Sequence, residues 1–143
     1  METIPSRVRQ NYLAIVVAAI ACFLVQMGWY SYFSAAWVTG IGRTPDWLNH
    51  TGVNPALQFA AALLAEAVMA TAISCVTQLT GAQTIFRGIK AAALLWLGFV
   101  VPVLAVNYVF EVRTWALFAI NIGFWLAGMI LMGAIVGGWR KRA

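Results

Sequence analysis

Charge is what this 143-residue sequence has least of: 9% of its residues are Asp, Glu, Lys or Arg, against about 25% in an ordinary soluble domain. So few charges cannot coat a folded surface in water, which excludes a water-soluble monomer. Acids number four, cysteines two, prolines four and histidines one. Two cysteines, Cys22 and Cys75, exclude a disulfide framework, and both fall inside apolar runs, where they read as small packing residues. With one histidine they make no zinc or haem site. No Gly-rich phosphate loop, paired-carboxylate set or Ser/His/Asp set is present, so neither cofactor, metal nor catalytic residue is expected, and the chain reads as a non-enzyme. What the sequence does have is 63% hydrophobic residues and a mean hydropathy of +0.85. That excludes disorder, which needs low hydrophobicity and high net charge. The solvent of this chain is lipid.

The net charge of +5 and the pI near 9.8 do not point to nucleic acid, because the basic residues are spread rather than clustered on one face. They fall between long uncharged runs. Residues 10–42 carry no charge, with their most apolar part at about 12–33; 56–79 is broken only by Glu66; 91–110 and 114–139 follow. Each run supplies the roughly 20 residues that cross about 30 Å of hydrocarbon. The backbone must satisfy its own hydrogen bonds there, and none of the runs alternates as barrel strands do, so helices follow. The sequence predicts one domain over residues 1–143, an all-α integral membrane four-helix bundle with spans at about 12–33, 56–79, 91–110 and 115–138.

Local signals mark the ends. Asn54-Pro55 is a helix cap followed by proline at the first helical position, and Thr114 can cap the fourth span. Gly81 suits the position just past the second span. Thr44-Pro45-Asp46 opens a short interfacial helix that Gly52 closes. Pro102 removes one backbone bond and clashes with the carbonyl of Gly98, so a kink is expected at Gly98–Pro102. The short 109–113 linker makes spans three and four antiparallel neighbours.

Four spans put both termini on one side. That side holds Arg7, Arg9, Arg87, Lys90, Arg140, Lys141 and Arg142, seven of the nine basic residues; Arg43 and Arg113 mark the other. The positive-inside rule then makes both termini cytoplasmic, and an aromatic belt including Trp29, Tyr30, Trp37 and Trp115 marks the outer interface. Ala19–Cys22 loosely mimics a lipoprotein cleavage box, but the apolar stretch is longer than a signal's region of about 7–15 residues, so no cleavage is expected. Asn49-His50-Thr51 is a glycosylation sequon that matters only in a eukaryotic secretory route.

Polar residues at membrane depth are the candidates for function. Glu66 is the sole ionisable acid or base well inside a span, and a central charge costs roughly 2.5–3.5 kcal/mol on insertion scales. Ala62 and Ala70 flank it on one face, so another helix can approach closely. No span offers Lys, Arg or His to pair with it. Gln26, Asn107 and Asn121 place one further polar side chain on each of the other helices, all in the outer half. The four residues either converge on one ion, proton or substrate site, or make separate interhelical bonds. Asn107 and Glu111 share a face at the rim, where Arg113 can answer Glu111. Gly133 and Gly137 form a GxxxG that serves either packing inside the monomer or a dimer face.

Asn11–Ile15, Gly28-Trp29-Tyr30-Ser31 with Ala36-Trp37, Asn107-Tyr108-Val109-Phe110-Glu111 and Met132–Gly137 together resemble the uncharacterised family of small bacterial four-span membrane proteins labelled domain of unknown function 1761. The family pattern has proline after Trp-Tyr-Ser, where Tyr32 stands here, and often a basic residue before Ala-Trp, where this chain has Ser34 and Ala35. The resemblance implies a bacterial inner membrane and no particular activity. Two readings stay open. One is a transporter or channel component using Glu66 with Gln26, Asn107 and Asn121. The other is a non-catalytic subunit that packs in the bilayer against a second copy or a larger membrane complex.

Overall fold

The computed structural model describes residues 8–140, Leu48's side chain excepted; Arg7, Lys141 and Arg142, part of the charge count above, lie outside them. It contains four helices long and apolar enough to cross a membrane. Helix α1 spans Tyr12–Tyr32, and a short α2 spans Ser34–Gly40. A 3₁₀ turn follows at Pro45–Asn49, then α3 at Pro55–Leu79. The third span runs from Ile85 to Phe110, as α4 (Ile85–Leu95), a widened π turn (Trp96–Val100) and α5 (Val101–Phe110). Helix α6 spans Trp115–Gly138. No strand occurs among the described residues.

Capping chemistry sets the helix starts. Asn11 accepts from the amide of Ala14, Asn54 from Ala56, Thr84 from Arg87 and Thr114 from Leu117; each supplies an oxygen to an amide the helix leaves unpaired. Gly52 and Gly81, just past the short helix and the second span, take positive φ, which glycine adopts without strain.

The third span corrects its expected start. It begins at Ile85, six residues before the uncharged run, because Thr84 caps it there and Arg87 and Lys90 ride within the first turns. Lys90 is exposed, and its long stem can lie on apolar surface while the charged head reaches water; the Arg87 guanidinium lies against the Gly81 turn. The interruption near Pro102 takes the form of the widened turn. Val101 bonds back five residues to the Trp96 carbonyl, which absorbs the missing proline donor. Nothing lies within 4 Å of where a Gly98 side chain would start, so this glycine makes no close contact. The first span ends at Tyr32; α2 then turns off at Phe33 and packs on α6.

Helix α6 is the hub, packed against α1, α3 and α4. Phe124, Met129, Met132 and Val136 from it fill the core, with Ile15, Ala18 and Cys22 from α1 and Ile73 from α3. Large apolar side chains such as Leu24, Leu64, Val68, Leu97 and Phe99 face outward. In water they would form an unprotected patch; in a bilayer they are the lipid-facing surface.

Gly133 and Gly137 are used inside the monomer. A side-chain carbon on Gly133 would come within 2.9 Å of the Ala92 methyl, and one on Gly88 within 3.0 Å of the Gly137 α-carbon. The backbones of α4 and α6 therefore touch, as small residues at a membrane crossing permit.

Candidate functional site

The two ends of the bundle differ. One end holds the start of α1, the α3–α4 turn and the end of α6; the other, here the loop end, holds α2, the 3₁₀ turn and the α5–α6 turn. Glu66 sits at the middle of α3, wholly buried. Ala70, one turn on, is equally buried, so this face of α3 turns inward. The polar side chain facing the carboxylate is the Cys22 thiol of α1, a weak donor. Neither carboxylate oxygen meets an N–H or O–H donor among the described residues. Cys22 in turn lies against Gly128 of α6, where a side-chain carbon would come within 2.7 Å of the sulfur. Glu66 thus stands where α1, α3 and α6 meet.

From Cys22 a polar column climbs α1 toward the loop end. Gln26 and Tyr30 follow at four-residue steps on the same face, about 6 Å apart in rise. The Gln26 side-chain oxygen is buried and also lacks a partner. Tyr30 donates to Asn121 of α6 at 2.7 Å, and Asn121 donates to the Tyr108 hydroxyl of α5. This chain ties three helices together at one level.

Two cavities open beside the column. The first, about 430 Å³, is lined by Gln26, Tyr30, Ser34, Trp37, Asn121 and Trp125, with Val38 and Leu104 completing its wall. The second, about 470 Å³, lies between α1 and α3 and shares Gln26, Tyr30 and Ser34 with the first. Its α3 wall includes Gln58 and Ala62, on the same face as Glu66 and respectively two turns and one turn before it. On α3, then, the cavity reaches one helical turn short of the carboxylate.

Of the residues singled out from sequence, the structure brings Gln26, Asn121, Tyr30 and Tyr108 together, with Glu66 below them. Asn107 does not join them. It is exposed on α5, because the residue turned toward Asn121 is its neighbour Tyr108, about 100° away around the helix. Trp29 donates its indole N–H to the Ile120 carbonyl at 3.0 Å and is accommodated by Gly123, so it braces α1 on α6. Ser31 lines the second cavity. Glu111 and Arg113 pair at 2.9 Å on the exposed rim, where Arg113 also donates to the Ile41 carbonyl at 3.1 Å. Gly133, Gly137, Gly98 and Pro102 lie elsewhere, as described above. Sequence reasoning missed Cys22, Ser34, Gln58, Trp37 and Trp125 as lining or facing groups. For Gln58 and Cys22 a signal existed: each is a polar residue at helical spacing from Glu66 or Gln26. Among the described residues, no three His, Cys, Asp or Glu side chains converge as a metal site would require.

No curated protein matches the chain, and no solved structure does. A family model described as "Protein of unknown function (DUF1761)" matches residues 13–137, from the second residue of α1 to near the end of α6, and so takes in the column and both cavities. The chain belongs to this family.

Proposed function

We propose that this membrane protein is a small transporter or channel component that passes a proton or cation, with Glu66 as the group that carries or balances the charge. The observation that supports it is the state of the carboxylate: fully buried at mid-span, with no N–H or O–H donor to either oxygen and only the weak Cys22 thiol facing it. Intramembrane acids without a structural partner commonly mark ion and proton routes. Gln26 and Tyr30 stand between Glu66 and the loop end, and Asn121 holds Tyr30 in place. Asn107, being exposed, is left out of the route.

The competing reading is an accessory subunit acting by helix–helix association, with Glu66, Gln26, Asn107 and Asn121 as interhelical glue. Asn121 fits it, whereas the Glu66 and Gln26 oxygens meet no N–H or O–H donor. Interhelical bonding here is done by Trp29 to Ile120, Trp96 to Ile122 and the Tyr30–Asn121–Tyr108 chain. Close packing is done by Gly88, Gly133 and Gly137. Association with a second copy or a larger complex, if the protein uses it, would then run through a face other than this glycine pair. The role proposed is non-enzymatic. By the positive-inside rule we place both termini in the cytoplasm, and the loop end with its cavities on the outer side, of a bacterial inner membrane.

The test is flux. In proteoliposomes loaded with a pH-sensitive dye, Glu66→Gln should keep the fold and lose proton or cation flux. Full flux in that variant overturns the proposal.

A further inference from the structure

The chemistry around the first cavity narrows what kind of cation it takes, and this step rests on the transport reading above. Among the described residues, the buried side-chain atoms between mid-span and the loop end that meet no N–H or O–H partner are all oxygens: one on Gln26 and two on Glu66. No Lys, Arg, His, Asp or Glu among the described residues lines either cavity. An anion would find no countercharge there. A hard metal ion fits poorly as well, since such ions take about six or more oxygens at short range. The cavity offers side-chain oxygens from Gln26, Tyr30, Ser34 and Asn121, and the Tyr30–Asn121 bond already occupies part of that set. Its volume of about 430 Å³ matches an organic molecule, within the range of about 300–1,000 Å³ for ligand pockets.

What the cavity does offer is aromatic surface. Tyr30, Trp37 and Trp125 line it. The Tyr30 and Trp37 rings meet edge to face at 6.0 Å and 76°. Tyr30 and Trp125 both pack on Phe124, at 5.3 and 4.7 Å, so the walls are held in place by the core. Aromatic rings attract an organic cation through their negative faces, and three of them line this space.

We propose that this cavity binds a small amphipathic organic ammonium ion. Its apolar part lies against Trp37, Trp125 and Leu104, and its ammonium group lies beside Tyr30, Ser34 and Gln26.

The test is equilibrium binding to the full-length protein in lipid nanodiscs at pH 7, with benzylammonium as probe. Benzyl alcohol is its neutral counterpart and sodium the simple cation. Benzylammonium should bind about tenfold or more tightly than benzyl alcohol, and sodium should not compete. Trp37→Leu and Trp125→Leu should each weaken benzylammonium binding about tenfold, while Trp37→Phe, which keeps a ring, should retain most of it. Trp115→Phe, remote from the cavity, should bind as the parent does, and unchanged circular dichroism shows that the variants are folded. Equal binding of the alcohol, competition by sodium, or parental binding in folded Trp37→Leu and Trp125→Leu overturns the proposal. Loss of flux in Glu66→Gln with no benzylammonium binding would sink this inference and leave the transport reading standing. Benzylammonium binding with full flux in Glu66→Gln would do the reverse.

Discussion

The crossing of α4 on α6 and the space between α1, α2 and α6 are built from the same kinds of residues to opposite ends. At the crossing, Gly88, Gly133 and Gly137 bring two backbones into contact and leave no room for a methyl group. Toward the loop end, α1 and α6 are held by hydrogen bonds from Trp29 and Tyr30, and large rings keep the helices apart around a cavity. In lipid, close backbone contact is a chief source of helix association, because there is little hydrophobic force between helices. A bundle clamped at one place can therefore tolerate an open, polar-lined region at another. The difference teaches where stability and chemistry reside: the clamp is backbone packed on backbone, whereas the open region carries the buried oxygens of Gln26 and Glu66 that meet no N–H or O–H donor.

The sharpest way to break this comparison is to fill the clamp. Gly88→Leu should cost about 3 kcal/mol, the upper part of the usual overpacking range, because backbone rather than a flexible side chain must move. Unfolding in mixed detergent micelles with increasing SDS would read it. A near-neutral result would mean that α4 and α6 do not touch there.

Next in size is Asn121→Leu, which removes two interhelical bonds and leaves Tyr30 without its acceptor. At roughly 0.6 kcal/mol per membrane hydrogen bond, with a maximum near 1.7, the loss should be about 1–2 kcal/mol in the same assay. Benzylammonium affinity should also fall, because the Tyr30 ring loses its anchor. Gly88→Leu, remote from the cavity, acts on stability alone.

Smaller effects are expected at the rim, which belongs to neither region. Val112 holds a positive φ of 53° in the α5–α6 turn. The left-handed conformation costs a residue with a side chain roughly 1–2 kcal/mol, so Val112→Gly should raise stability, by up to about 1 kcal/mol once glycine's entropy is counted. Smallest of all, Glu111→Gln removes an exposed pair while Arg113 keeps its bond to Ile41. A change within about 0.5 kcal/mol is expected on thermal unfolding, as for most surface pairs.

The spans were legible because composition and run length decide them: an uncharged stretch of about 20 residues has few alternatives. Asn54-Pro55 and Thr114 were legible because capping is local chemistry. The start of α4 was not, since Arg87 and Lys90 read as loop until Thr84 is seen capping a helix that includes them. Glu66 stood out as the one ionisable group deep in an apolar run, but Cys22 beside it did not, because its neighbours come from other helices. Asn107 and Tyr108 show the same limit: adjacent in sequence, they differ in which faces α6, and only the rotation of α5 decides it. The cavity depends on side chains from α1, α2, α5 and α6 meeting in space, which no single stretch encodes. Gly133 and Gly137 were visible as a pair, whereas their partner Gly88 required the tertiary crossing.

The central claim is that Glu66 is held for its charge and not for cohesion, and the stability of Glu66→Met tests it most directly. Replacing a buried acid that meets no N–H or O–H donor by an apolar side chain of similar size should leave SDS-induced unfolding unchanged or shifted to higher SDS. A loss of about 2 kcal/mol or more would mean that the carboxylate holds helices together, and would contradict the account.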